Sequence, residues 1–223
     1  NGVRIAWNPI SRYYVEPMGE LFAMLLSKTP ITPNVVTIAN LLISAASGLL
    51  LISGKYWQTI LFVLWIPFFH AIDVADGVLA RITSRKSRFG SWIDRAGDRF
   101  VLNTWAVIIG YALFAGKGNL LFLYSIIAYL FGKYLYSFLS LTSDLDFPGH
   151  SQNDLLKANL KKAPLVWLFL FFLDYDIQLH FLMLAALLQR LDMWLLFYGA
   201  YFNFVWVAYV AYYGYRHLAS DQK

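Results

Sequence analysis

No cysteine occurs in the 223 residues, so the chain holds no disulfide, no thiolate-ligated zinc or iron–sulfur centre and no cysteine nucleophile. The redox compartment stays open. Charge is scarce too: Asp, Glu, Lys and Arg make up 14% of the residues, against about 25% in soluble domains, which argues against a water-soluble monomer. The four histidines, His70, His150, His180 and His217, share no ligand spacing. Tuned histidine catalysis is therefore not expected, and His70 reads as a packed interior residue. Asn1 to Asn8 lack the long apolar core of a secretion signal, and without an initiator Met the chain reads as trimmed or partial. Internal repeats and low-complexity tracts are absent.

What is abundant is apolar: 59% of residues are hydrophobic, 18% aromatic, and the mean hydropathy is +0.54. That composition marks a membrane domain. A bilayer core of about 30 Å needs about 20 apolar residues in a helix. Val35 to Ser53, Tyr56 to Ala80, Trp92 to Ala115, Leu120 to Leu141 and Leu191 to Tyr215 each suffice. Between the last two, a helix from about Ser151 through Leu173 and a return to about Arg190 are expected. The predicted fold is thus all-α integral membrane, with a six-helix transmembrane core and Leu191 to Tyr215 as a candidate seventh span. In the alternative count, Ile177 to Leu188 lies in the interface or continues into the last helix. Pro17 to Ser27 reads as an interfacial helix stopped by Thr29-Pro30-Ile31-Thr32-Pro33-Asn34. Residues 1–33 form an N-terminal arm and 34–223 the transmembrane domain. The net charge of +5 lies beside apolar spans, which points to cytoplasmic loops and anionic headgroups rather than nucleic acid. Alternation of spans puts Arg4, Arg12, Lys28, the 81–99 segment, Lys157, Lys161 and Lys162 in the cytoplasm, leaving Lys55 and Lys117 outside.

Four of the 13 acidic residues fall within 26 positions: Asp73 and Asp76 end the second span, Asp94 and Asp98 begin the third. Carboxylates near hydrocarbon are costly and are functional by default. Four together repel unless cations neutralise them, and hard oxygen ligands at this density point to Mg²⁺ or a similar divalent ion. Asp73 and Asp76 are spaced i,i+3 and Asp94 and Asp98 i,i+4, so each pair shares a helix face. A two-metal site clamping a phosphoryl group fits this spacing. Gly77 and Ala80 remove bulk beside Asp76, Arg81 suits bidentate phosphate contacts, and Ser87 and Gly90 offer a hydroxyl and a tight turn. The cluster describes a diphosphate clamp.

Written as Asp73-x2-Asp76-Gly77-x2-Ala80-Arg81-x8-Gly90-x3-Asp94-x3-Asp98, the segment resembles the signature of the CDP-alcohol phosphotransferase family at all eight defined positions. Pro33-Asn34-x2-Thr37 resembles the family's first helix. The resemblance implies that an acceptor hydroxyl attacks the β-phosphorus of a CDP-linked alcohol, releasing CMP and forming a phosphodiester. It implies two Mg²⁺ ions, with Mn²⁺ as a substitute, held by Asp73, Asp76, Asp94 and Asp98, with Asp98 also the catalytic base. Gly77, Ala80, Arg81, Ser87 and Gly90 become nucleotide contacts, with Asn34 and Thr37 on the cytidine side. A homodimer in the membrane lipids and a cytoplasmic active site follow, in the inner or plasma membrane if the source is prokaryotic. The donor is CDP-diacylglycerol or a CDP-linked polar alcohol. The N-terminal arm is similar to members fused to a cytidylyltransferase domain.

Lys133 inside the fourth span and Arg190 between two apolar stretches are candidates for binding a phosphorylated acceptor, with snorkelling to the interface as the competing role. Arg95 and Arg99 are expected to balance the aspartates. Arg85, Lys86 and Arg88 are expected to form a solvated loop touching anionic headgroups. Two other functions compete. An intramembrane prenyltransferase carries two separated Asp-rich motifs, and a cation-coupled transporter needs acids nearer mid-membrane.

Overall fold

The computed structural model describes residues 11–146 and 171–220, with the side chains of Ser11, Arg12, Arg95, Asp98, Tyr213, 143–146 and 216–220 outside the description. Among the described residues there is no strand. A π-type turn at Ser11–Val15 leads into α1 (Glu16–Leu26). Then come α2 (Pro33–Ser47, extended by a 3-10 turn over Gly48–Leu51), α3 (Tyr56–Ile82), α4 (Arg88–Lys117), α5 (Leu121–Asp146), α6 (Tyr175–Leu187) and α7 (Leu191–Ser220). Pro33–Leu51, Tyr56–Ile82, Arg88–Lys117, Leu121–Thr142 and Leu191–Tyr212 are long and apolar enough to cross a membrane. These are the five runs expected. Large apolar side chains stay exposed along them, including Leu42 at 63% and Phe204 at 64%. Water would not tolerate such surface, whereas lipid tails do. The chain is an all-α, multi-pass integral membrane protein.

Two boundaries differ from expectation for physical reasons. The helix carrying Asp94 begins at Arg88 rather than Trp92, because Ser87 Oγ accepts the Gly90 N–H at 2.8 Å and caps the exposed first turn. Near the C-terminus, Gln189 adopts φ 55° and the Arg190 N–H returns to the Ala185 carbonyl at 2.7 Å. That left-handed turn ends α6 before α7 starts. The alternative in which Ile177 to Leu188 runs on into the last helix is overturned. The helix expected over Ser151 to Leu173 falls, up to residue 170, outside the described residues.

The chain packs as two compact units, residues 1–112 with 186–189, and 113–185 with 190–223. In the first, α1 lies against α3. Gly19 makes this possible, since a Cβ there would stand 2.7 Å from Val74 Cγ1 and 2.9 Å from the Ala71 carbonyl. Phe22 stacks on Phe68, and Ala23, Val36, Ala75 and Leu79 form a buried cluster. Trp105 of α4 is fully buried, edge-on to Phe62 and Phe69, and its indole N–H donates to the Ser44 carbonyl at 2.6 Å. In the second unit, Gly132 of α5 meets the backbone of Asn203 on α7. The Asn203 amide donates to the Ala128 and Gly199 carbonyls at 2.7 Å each. Small residues let the helices approach, and the amide supplies a hydrogen bond that lipid cannot.

Candidate active site

Three helix ends of the first unit meet at one cleft: the start of α2, the last turns of α3 and the start of α4. Its walls are Pro33, Asn34, Thr37, Asp76, Gly77, Ala80, Arg85, Lys86, Ser87, Gly90, Ser91 and Asp94, and it is open to solvent. Polar bonds between α2 and its neighbours set the geometry. Thr37 Oγ1 lies 2.5 Å from Asp76 Oδ2, donating to the carboxylate, and 3.0 Å from the Pro33 carbonyl. One turn further along α2, Asn40 Nδ2 donates to the Phe69 carbonyl at 3.1 Å, the peptide four residues before Asp73. Asn40 and Thr37 are both buried. Together they fix the register of α3 against α2 and hence the position of both aspartates.

Asp73, Asp76 and Asp94 each turn a carboxylate oxygen into a group lying within 4.8 Å of one another. Asp76 is buried, at 5% exposure, and the other two are half-buried. A hard divalent cation held by two or three carboxylate oxygens and completed by water or phosphate fits such a donor set. The sequence spacing expected this convergence. Asp98 lies one helical turn beyond Asp94 on α4, and its side chain lies outside the described residues.

Of the expected nucleotide contacts, Asn34, Thr37, Gly77, Ala80, Ser87 and Gly90 all line the cleft. Ser87 is also structural: besides capping α4 it donates to Asn34 Oδ1 at 3.2 Å. Gly90 is where α4 approaches Asn34, since a Cβ would stand 2.7 Å from Asn34 Oδ1. Arg81 is exposed, with Nη1 about as close as ordinary contact to where a Gly77 Cβ would be, 3.7 Å, and it does not line the cleft. Cations come instead from Arg85 and Lys86, two of the three residues expected in a solvated loop. Charge patterning alone treats a basic run as surface, so nothing in the sequence separated these two from Arg88. Asn40 was equally hidden, although an amide inside an apolar span is a signal that a buried partner exists.

The acceptor candidates belong to the second unit. Lys133 Nζ donates to Tyr129 Oη at 2.9 Å and sits over the Tyr129 and Phe202 rings at 5.1 and 5.8 Å. Arg190 Nε lies 3.4 Å from Asp192, which also takes Lys117 at 2.8 Å.

The connection between α3 and α4 stores a little strain. Ser84 takes φ 53°, and the Arg85 N–H closes back to the Ala80 carbonyl at 3.1 Å. Because a left-handed side chain costs about 1 kcal/mol that glycine avoids, Ser84→Gly should stabilise the protein by about 0.5–1 kcal/mol. A lowered thermal midpoint in detergent would contradict that. Asn40→Leu should act oppositely, costing about 0.5–1.5 kcal/mol for the lost bond, the Phe69 carbonyl keeping its own bond within α3. An unchanged midpoint would show that the Asn40 bond does not hold α3.

An all-helical membrane protein gathering carboxylates beside a cleft at three helix ends has the makings of a metal–phosphate site. The CDP-alcohol phosphatidyltransferase profile matches residues 30–206, and the chain belongs to that family. It is similar to the archaetidylinositol phosphate synthase of Aeropyrum pernix, 30% identical over 93 residues, which are 42% of this chain and 46% of that protein. The match thus spans less than half of the relative's length. Family membership sets aside the prenyltransferase and transporter readings.

Proposed function

We propose that the protein transfers a substituted phosphate from a CDP-linked alcohol to an acceptor hydroxyl and releases CMP. The observation that carries the reading is the convergence of Asp73, Asp76 and Asp94 beside a cleft that Asp76 and Asp94 line together with Gly77, Ala80 and Gly90 of the family signature. When bound, Mg²⁺ or Mn²⁺ supplies positive charge against the diphosphate and acidifies the incoming hydroxyl. The residues do the rest. Asp73, Asp76, Asp94 and Asp98 hold the ions, and Asp98 takes the proton of the acceptor hydroxyl. The acceptor oxygen bonds to the β-phosphorus as the bond from that phosphorus to the bridging oxygen breaks, and the electron pair leaves with CMP.

Thr37 keeps Asp76 oriented by its hydrogen bond, so the carboxylate is pre-aimed before substrate arrives. Asn34, Gly77, Ala80, Ser87 and Gly90, which line the cleft, receive the cytidine nucleotide, with Gly77 and Ala80 admitting it closely. Lys133 is proposed for a phosphorylated acceptor, whereas Arg190 shares Asp192 with Lys117 at the end of α4 away from Asp94 and is left out of the acceptor site. The relative's name, a synthase of an inositol phosphate lipid, favours a lipid-linked donor and a phosphorylated polyol acceptor. The site is proposed to face the cytoplasm, following the basic residues around it, and the protein to act as a homodimer in phospholipid biosynthesis. Purified protein with Mg²⁺, CDP-diacylglycerol or CDP-linked polar alcohols, and inositol phosphate, glycerol phosphate or serine should release CMP with one donor class. Release with none would reject the reading.

A further inference from the structure

The cleft is bipolar. Its acidic side is Asp76 and Asp94 and, among the described residues, the two cationic side chains lining it are Arg85 and Lys86. Neither belongs to the eight-residue signature, and both sit in a stretch that by charge pattern alone is solvated surface. The backbone here is not free to wander. On one side the Arg85 N–H is bonded to the Ala80 carbonyl, and the preceding Ser84 holds a left-handed conformation. On the other, Ser87 caps α4 through Gly90 and bonds to Asn34 of α2. Arg85 and Lys86 are thereby presented between two pinned points at the cleft wall, whereas Arg88, the first residue of α4 and equally exposed, does not line the cleft.

An anion held by cations bound at the carboxylates would have its other oxygens left to pair with protein donors. Guanidinium and ammonium groups are the strongest donors to phosphate, through charge-assisted hydrogen bonds. We infer that Arg85 and Lys86 bind the phosphate of the cytidylate half of the donor, and of CMP as it leaves, and so set nucleotide affinity. This rests on the CDP-alcohol reading and deepens it by naming the residues that take the phosphate.

The test is calorimetric titration of CMP and of cytidine, in Mg²⁺, into the purified full chain in detergent. Wild type should bind CMP more tightly than cytidine. Arg85→Gln and Lys86→Gln should each weaken CMP about threefold to tenfold, as expected for charge-assisted contacts from exposed side chains. The double variant should lose more, and cytidine affinity should stay unchanged in all of them. Arg88→Gln, which removes the same charge from the same run, should leave CMP within about twofold of wild type if site geometry rather than general charge matters. Equal losses for CMP and cytidine would overturn the inference. So would unchanged CMP binding in the double variant, the outcome if these residues serve only headgroups, or an Arg88→Gln loss as large as the others. Should wild type bind no CMP at all, the donor reading itself fails. CMP binding that survives both substitutions sinks only this assignment.

Discussion

Asp76→Asn should lower CMP release by at least about a hundredfold while leaving the fold intact, because the exchange removes a charge without removing a shape. Asp76 is the most buried of the three converging carboxylates, and its Oδ2 takes the Thr37 hydroxyl. An asparagine carbonyl accepts the same bond, so α2 and α3 keep their register. What is lost is a negative ligand atom within 4.8 Å of its two partners. Two carboxylates about 5 Å apart repel by about 3 kcal/mol at an effective dielectric near 20. Without divalent metal, the variant should therefore melt at the same temperature as wild type or higher. Loss of activity with an unchanged or raised midpoint separates a ligand role from a folding role. Activity within about tenfold of wild type would remove Asp76 from the site.

The sequence made the aspartate cluster legible because the constraint is local. Intervals of three and four residues on a helix force a shared face, and four acids in a chain with 14% charge stand out. The five long spans were legible for a similar reason, since only composition and length matter to lipid. Register was not legible. That Thr37 reaches Asp76 and Asn40 reaches the Phe69 carbonyl depends on how α2 lies against α3, across 39 and 29 residues of sequence. The loop cations were not told apart for the same cause: Arg85, Lys86 and Arg88 look alike in one dimension and are all exposed as expected, and a left-handed Ser84 and the Ser87 cap decide which of them also line the cleft. The end of α6 was ambiguous because Gln189, unlike glycine, gives no composition signal for a left-handed turn.

Removal of divalent metal should silence the protein entirely, and its effect on stability should report the site even where activity cannot. Treated with EDTA, the chain should release CMP at background rate and recover on addition of Mg²⁺ or Mn²⁺. The expectation rests on Asp73, Asp76 and Asp94. Three carboxylates held together by the fold are a standing electrostatic cost, and an ion that binds only the folded arrangement offsets it. By mass action, Mg²⁺ at about a hundred times its dissociation constant adds about 2.7 kcal/mol of stability, which should raise the thermal midpoint by several degrees. Asp76→Asn should flatten that response, since the variant lacks one of the ligands whose repulsion the ion relieves. Asn40→Leu, whose effect is to loosen α3 rather than to discharge the cluster, should start from a lower midpoint and still respond to Mg²⁺. A wild-type midpoint indifferent to Mg²⁺, or full turnover in EDTA with no metal retained, would show that the converging carboxylates do not hold an ion.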